Sequence, residues 1–168
     1  MSSAISSVRR LFRVMRLASQ RTQASAGISA AQLFVLQQLG DGSELSLNEL
    51  AERTLTDRSS VAAVVERLRS QRLVDRTPDP ADLRRAAIRI TAAGRRLLRR
   101  APDAPTTALL GALRKLTPRE LTALASSLER LTLALGASHA PPSMLFADES
   151  NRPAPPKRRS KARTRASG

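Results

Sequence analysis

Four arginines, Arg76, Arg84, Arg85 and Arg89, fall within fourteen positions of one another. Just before them lies a stretch, Thr56 to Ser70, with two chemically distinct faces. With Val61 set inward on a wheel of 100° per residue, Val64, Val65 and Leu68 lie within about 60° of it. The opposite face collects Thr56, Ser59, Ala63, Glu66 and Ser70, flanked by Ser60 and Arg67. Its first half is small and polar, so such a helix enters a DNA major groove without clashing. Serine hydroxyls donate to or accept from base edges, and an alanine touches a thymine methyl. A merely solvated polar face has the same pattern, and the helix alone does not decide between them. The arginines tip the balance, because a basic hairpin lays a guanidinium in the adjacent minor groove.

Other chemistries have few residues to work with. The 168-residue chain has no cysteine, tryptophan or tyrosine, three phenylalanines and one histidine. This excludes a disulfide framework, a thiol redox sensor and a Cys/His zinc site. His139 is the single candidate imidazole base, and it sits in a Pro/Ser-rich stretch that reads as surface. Nucleophilic and titratable groups do not converge, so no enzyme, cofactor or metal is expected. No apolar run approaches the roughly 18–20 residues of a membrane span. Met1 to Arg21 lacks the continuous apolar core of a secretory signal.

The charge points to an acidic partner. Lys and Arg number 29 and Asp and Glu 14, a net of +15, with a sequence pI of about 11.9. Nucleic acid is the first candidate and an anionic membrane surface the second. Of the basic residues 26 are Arg and three Lys. That bias suits phosphates and guanine edges, and a GC-rich coding sequence produces it equally well. Residues 137–168 carry seven basic and two acidic groups, so 1–136 hold 22 basic against 12 acidic ones. The body is therefore basic in its own right.

The elements that must position these residues are legible in the periodicity. Ile5, Val8, Phe12 and Met15 mark an amphipathic helix over about 3–24. Ser29 with Gln32 forms a capping box for a helix carrying Leu33, Phe34, Leu36 and Leu39, stopped at Gly40. Ser46 with Glu49 opens a short helix over 47–53, and Thr56 or Asp57 caps the next, over 57–70. Leu73–Arg76 and Ala86–Ile90 read as two strands of a hairpin around the loop Thr77–Asp82. Thr91 caps another helix, with Leu97 and Leu98 inward and Arg95, Arg96, Arg99 and Arg100 mostly solvated. Pro102 and Pro105 interrupt it, and a further helix carries Leu109, Leu110 and Leu113. Thr117-Pro118-Arg119-Glu120 is a third capping box. Its helix carries Leu121, Leu124, Leu128, Leu131 and Leu135, either core or a subunit seam. From Gly136 the pattern fades into Pro-rich and basic sequence, expected to be disordered.

Two short helices and a strand hairpin are the order of a winged helix-turn-helix. Leu47-Asn48-Glu49-Leu50-Ala51, Asp57-Arg58-Ser59-Ser60-Val61, Val65-Glu66-Arg67-Leu68, Leu73-Val74-Asp75-Arg76, Asp79-Pro80-Ala81-Asp82-Leu83-Arg84-Arg85 and Ile90-Thr91-Ala92-Ala93-Gly94-Arg95 together resemble the MarR family of bacterial transcription regulators. The resemblance covers about 29–98. It implies a homodimer formed by the terminal helices, a near-palindromic operator, and often repression relieved by a small aromatic ligand. It also implies that Arg84 is the wing arginine and that Asp57 pairs with it. By the same resemblance, Ser59, Ser60 and Ala63 meet bases, and Ser46 and Asn48 meet phosphates. Leu83 and Ala63 depart from the pattern, standing where the family often has arginine; specificity then leans on shape and on Ser59 and Ser60. The missing cysteines exclude the family's peroxide-sensing branch.

The fold expected is mainly α with a small β-hairpin wing. It comprises an N-terminal dimerisation helix (1–28), the winged helix-turn-helix (29–98), C-terminal dimerisation helices (99–136) and a basic tail (137–168). The function expected is a dimeric, cytoplasmic, nucleoid-associated regulator that reads double-stranded DNA, a repressor answering to a small effector. Thr56, Arg58 and Arg67 join the backbone contacts, Arg85 and Arg76 join the wing, and Asp82 supports it with Asp57. Lys157, Arg158, Arg159 and Lys161 add contacts from the tail. The competing expectation is a non-specific architectural DNA-binding protein, which the basic tail favours.

Overall fold

Capping chemistry sets where most of the helices begin. In the computed structural model, which describes residues 2–78, 86–136 and 144–145, the three expected capping boxes are all closed in both directions. Ser29 accepts from the Gln32 amide, Ser46 from Glu49 and Thr117 from Glu120, and each partner side chain returns to the cap backbone. Asp57 and Thr91 cap two more helices by accepting from Ser60 and Gly94. The resulting order is α1 (Ser2–Ala26), α2 (Ala30–Gln38), α3 (Leu47–Thr54), α4 (Arg58–Ser70), β1 (Val74–Pro78), β2 (Ala86–Ile90), α5 (Ala92–Leu98), α6 (Pro105–Leu113) and α7 (Pro118–Ala134). Pro105 occupies the first turn of α6. It therefore begins the new helix rather than merely interrupting the old one, as proline's fixed φ allows.

The core gathers what the periodicity marks as apolar. Leu33, Phe34, Leu36 and Leu39 from the α2 segment, Leu50 from α3, and Val61, Val64, Val65 and Leu68 from α4 are buried together with Val74, Ile88 and Ile90 of the hairpin. Each such side chain contributes about 1.5–3 kcal/mol by leaving water. A hydrogen bond from Gln32 Nε2 to Gln71 Oε1, 3.0 Å, ties the start of α2 to the end of α4.

The hairpin is antiparallel, with Val74 opposite Ile90 and Arg76 opposite Ile88. The first strand lies one residue later at its start than expected and runs on to Pro78. A third strand position is new. Leu45 pairs with Ile88, its N–H donating at 3.1 Å and its carbonyl accepting at 2.8 Å. This bridge fastens the hairpin to the segment just ahead of α3.

The turn between α3 and α4 requires a left-handed residue, and Leu55 supplies it at φ 55°. Its side chain is exposed, so nothing but the turn fixes its conformation.

The terminal helices are only partly covered by their own chain. Met15, Ser19 and Thr22 are the buried residues of α1. Toward its N-terminus Ile5, Val8, Leu11 and Phe12 stand exposed, Phe12 at 71%. No residue of α7 is buried. Its leucine stripe, Leu121, Leu124, Leu128, Leu131 and Leu135, faces away from the core of this chain.

Gly94 locks the exit from the hairpin. A Cβ there would stand 2.3 Å from the Leu73 carbonyl oxygen and 2.8 Å from Ile90 Cγ1. The first of these is backbone, which cannot swing aside. Gly94→Ala is therefore expected to lower unfolding free energy by about 1–3 kcal/mol, the usual cost of overpacking. Urea denaturation measures it; an unchanged midpoint would contradict this close approach.

Candidate nucleic-acid interface

The two faces of α4 separate as the wheel predicts. Val61, Val64, Val65 and Leu68 are buried, whereas Ser59, Ala63, Glu66 and Ser70 are exposed and Ser60 and Arg67 half-buried. Arg58, the first residue of α4, is exposed. Asn48 stands exposed on α3, and Ser46 caps that helix while half-buried. Thr56, half-buried in the turn, shares a 2.7 Å hydrogen bond with the Thr54 hydroxyl. Thr56 and Arg58 flank the start of α4, whereas Ser46 and Asn48 stand at the start of α3.

The geometry at the start of α4 goes beyond the sequence reading. Asp57 is the cap of α4 and, among the described residues, accepts three hydrogen bonds. The Ser60 amide donates to Oδ1 at 2.9 Å, the Ser60 hydroxyl to Oδ2 at 2.6 Å, and the Ser59 hydroxyl also to Oδ1. The hydroxyl bonds, with Ser59 the larger influence and Ser60 next, lower the carboxyl from 3.8 to about 2. At neutral pH it is a carboxylate, which only accepts.

The arginines divide into groups. Arg76 lies on β1 with Nη1 4.0 Å from Glu66 Oε1, and Arg69 donates to the same glutamate at 2.9 Å. The one acidic residue on the outer face of α4 is thus bracketed by two guanidiniums. Arg89, on β2, pairs with Glu44 beside the Leu45 bridge. Two members of the expected basic cluster are thus held by carboxylates of the same chain. These pairs are half-exposed and contribute little, about 0–1 kcal/mol each, so an incoming phosphate competes with them readily. Arg84, Arg85 and Asp82 of the wing lie outside the described residues, as do Lys157, Arg158, Arg159 and Lys161 of the tail.

A second feature lies away from α4. Between the last turn of α1 and α5 a cavity of about 360 Å³ is lined by Ser25, Ala26, Arg96, Leu97, Arg100 and Ala101. Arg96 and Arg100, four positions apart, both line it. They look like solvated charges in the sequence, and their four-residue spacing is the signal that pairs them.

Residues 26–85 match the MarR family model. The HTH-type transcriptional repressor NicR of Pseudomonas putida is 34% identical over 71 residues, which are 42% of this chain and 45% of that protein. The match thus spans a little under half the length of that curated relative. Among solved structures, Sco3205 of Streptomyces coelicolor, a MarR family transcriptional regulator in complex with DNA, is 25% identical with a TM-score of 0.55, over 84% of this chain and 92% of that one. BpsR of Bordetella bronchiseptica, whose DNA binding is regulated by 6-hydroxynicotinic acid, is 28% identical with a TM-score of 0.52, over 74% and 89%. PcaV of Streptomyces coelicolor, a transcriptional regulator in complex with its natural ligand, is 29% identical with a TM-score of 0.52, over 76% and 90%.

The Asp57 network carries a pH signature. A carboxyl lowered on folding adds stability at pH above its ordinary value of 3.8. That stability is lost as pH falls through about 2. The stability gap between the protein and Asp57→Asn is expected to stay constant from neutral pH down to about 5 and to narrow below about 4. Denaturant unfolding across that range measures the gap. A gap that holds its size down to about pH 2.5 would contradict the network.

Proposed function

We propose that this chain is a MarR-type dimeric transcription regulator that reads a near-palindromic operator and releases it on binding a small effector. The carrying observation is α4, whose apolar stripe is buried while Ser59, Ser60 and Ala63 stand at its accessible N-terminal end. In this reading α4 enters the major groove, and Ser46, Asn48, Thr56, Arg58 and Arg67 meet the flanking phosphates. The Arg84 wing, braced by Asp57 and Asp82, enters the minor groove with Arg85 and Arg76 beside it. The DNA complex of the related Sco3205 supports the class of partner. The exposed stripes of α1 and α7 support a homodimer, because two chains that join them bury leucines and Phe12 that one chain leaves in water.

The effector is a small organic anion in this proposal. Arg96 and Arg100 present a forked positive wall to the cavity, and Leu97, Ala26 and Ala101 give it an apolar side. A flat aromatic carboxylate satisfies both, and BpsR responds to a ligand of that class. Among the described residues no aromatic side chain lines the cavity, so the ring would pack on aliphatic groups. Its place beside α1 connects it to the helices of the proposed dimer.

Two expectations follow from these assignments. Arg84→Ala is expected to weaken operator binding by about 1–3 kcal/mol, and binding by the unaltered protein to fall steeply with salt. Fluorescence anisotropy over a salt series measures both; unchanged operator affinity in Arg84→Ala would contradict the wing assignment. A panel of aromatic acids that includes 6-hydroxynicotinic acid should contain members that release the operator, and the double variant Arg96→Ala/Arg100→Ala should no longer respond to them. An undiminished response in that variant would place the effector elsewhere.

A further inference from the structure

We infer that Asp57 is a positioning residue for base selection: by taking the hydroxyl protons of Ser59 and Ser60, it turns both serines into acceptors that favour amino bases over keto bases. The inference rests on the proposal that α4 enters the major groove, and it adds what the serines select there.

A serine hydroxyl has one donor hydrogen and two acceptor lone pairs. Left free, it rotates to suit any base edge and discriminates little. Here both hydroxyls bond to Asp57. Each bond has one allowed direction, because an ionised carboxylate has no proton to give. The serine hydrogens therefore point inward to Asp57, and the lone pairs point outward. Depression of the carboxyl to about 2 means that neutral pH leaves this polarity intact.

The major groove then decides the outcome. On either strand adenine and cytosine offer an amino donor there, through N6 and N4. Guanine and thymine offer acceptors, through O6 and N7 or O4. A serine confined to accepting gains a bond from the first pair and meets a lone pair in the second. Ser59 is exposed and Ser60 half-buried, so Ser59 carries the larger share. Ala63 adds no polar group that would override it.

Asp57→Asn isolates the effect. Asparagine remains a good helix cap, so α4 keeps its start. Its amide oxygen still accepts, but its amide nitrogen donates. One serine then receives a hydrogen bond instead of giving one, and its own proton is freed toward the groove.

The experiment is selection of bound duplexes from a random pool by the full-length protein, by Ser59→Ala, by Ser60→Ala and by Asp57→Asn. The serine variants locate the positions that the hydroxyls contact. At those positions the unaltered protein is expected to favour adenine or cytosine over guanine or thymine by about 3- to 10-fold, the worth of one neutral hydrogen bond. Asp57→Asn is expected to relax that preference toward unity at one or both positions while a thermal melt shows it folded. A loosened wing, by contrast, changes only the flanking minor-groove positions.

A keto preference in the unaltered protein overturns the inference. So does an amino preference that Asp57→Asn leaves intact, or a profile that neither serine variant alters; in all three cases the selected operator still supports the regulator. A pool with no enriched site overturns the regulator reading and this inference with it.

Discussion

Everything in this protein hangs on the burial of one side of α4. Val61, Val64, Val65 and Leu68 are fully withdrawn from water, and that stripe fixes the rotation of the helix about its own axis. A helix rotated by one residue, about 100°, would bury Ser59 or Ala63 and expose valine. The hydrophobic effect therefore orients the polar face without any contact being made to it. α2 and α3 supply the opposing surface through Phe34, Leu36 and Leu50. The hairpin then leaves from the end of α4 and returns to the same core through Ile88 and Ile90. Gly94 lets the following helix pass against the Leu73 carbonyl, and the Leu45 bridge pins the hairpin to the entry of α3. Each of these is a small constraint, and together they place α4 and the base of the wing in one rigid unit.

Electrostatics is arranged around that unit rather than spread evenly. The chain carries a net charge of +15, yet acidic groups stand where they order cations or helix ends. Glu49 and Glu120 return to the caps of α3 and α7, and Asp57 closes α4. Glu66 gathers Arg69 and Arg76, and Glu44 holds Arg89. Exposed pairs of this kind are weak. They keep long side chains gathered near the proposed DNA face while leaving them able to exchange one anion for another.

Much of this was legible in the sequence, for identifiable reasons. Caps are local, so Ser29–Gln32, Ser46–Glu49 and Thr117–Glu120 could be read from spacing alone. The α4 stripe is periodic, so its buried set was readable too. Features made by distant residues were not. The Leu45–Ile88 bridge joins positions far apart in the chain through one residue, too short a strand to leave any alternation. The leucine stripe of α7 reads identically as core or as seam, and its exposure in this chain excludes the first. The spacing offers Thr56 or Asp57 as the cap of α4, and the resemblance makes Asp57 a brace for Arg84. That both serine hydroxyls turn to it depends on rotamers, which spacing does not encode. Arg96 and Arg100 read as solvated because the wall opposite them comes from α1, some 70 positions earlier.

The central claim, that α4 and the wing of a symmetric pair of chains read a defined DNA sequence, is tested most directly by selecting bound duplexes from a random pool at about physiological salt, where phosphate contacts alone are suppressed. A symmetric regulator enriches a two-fold symmetric site with half-sites about one helical turn apart. A pool that stays random, with binding that disappears as salt rises, would contradict it and leave a basic protein that holds DNA without reading it.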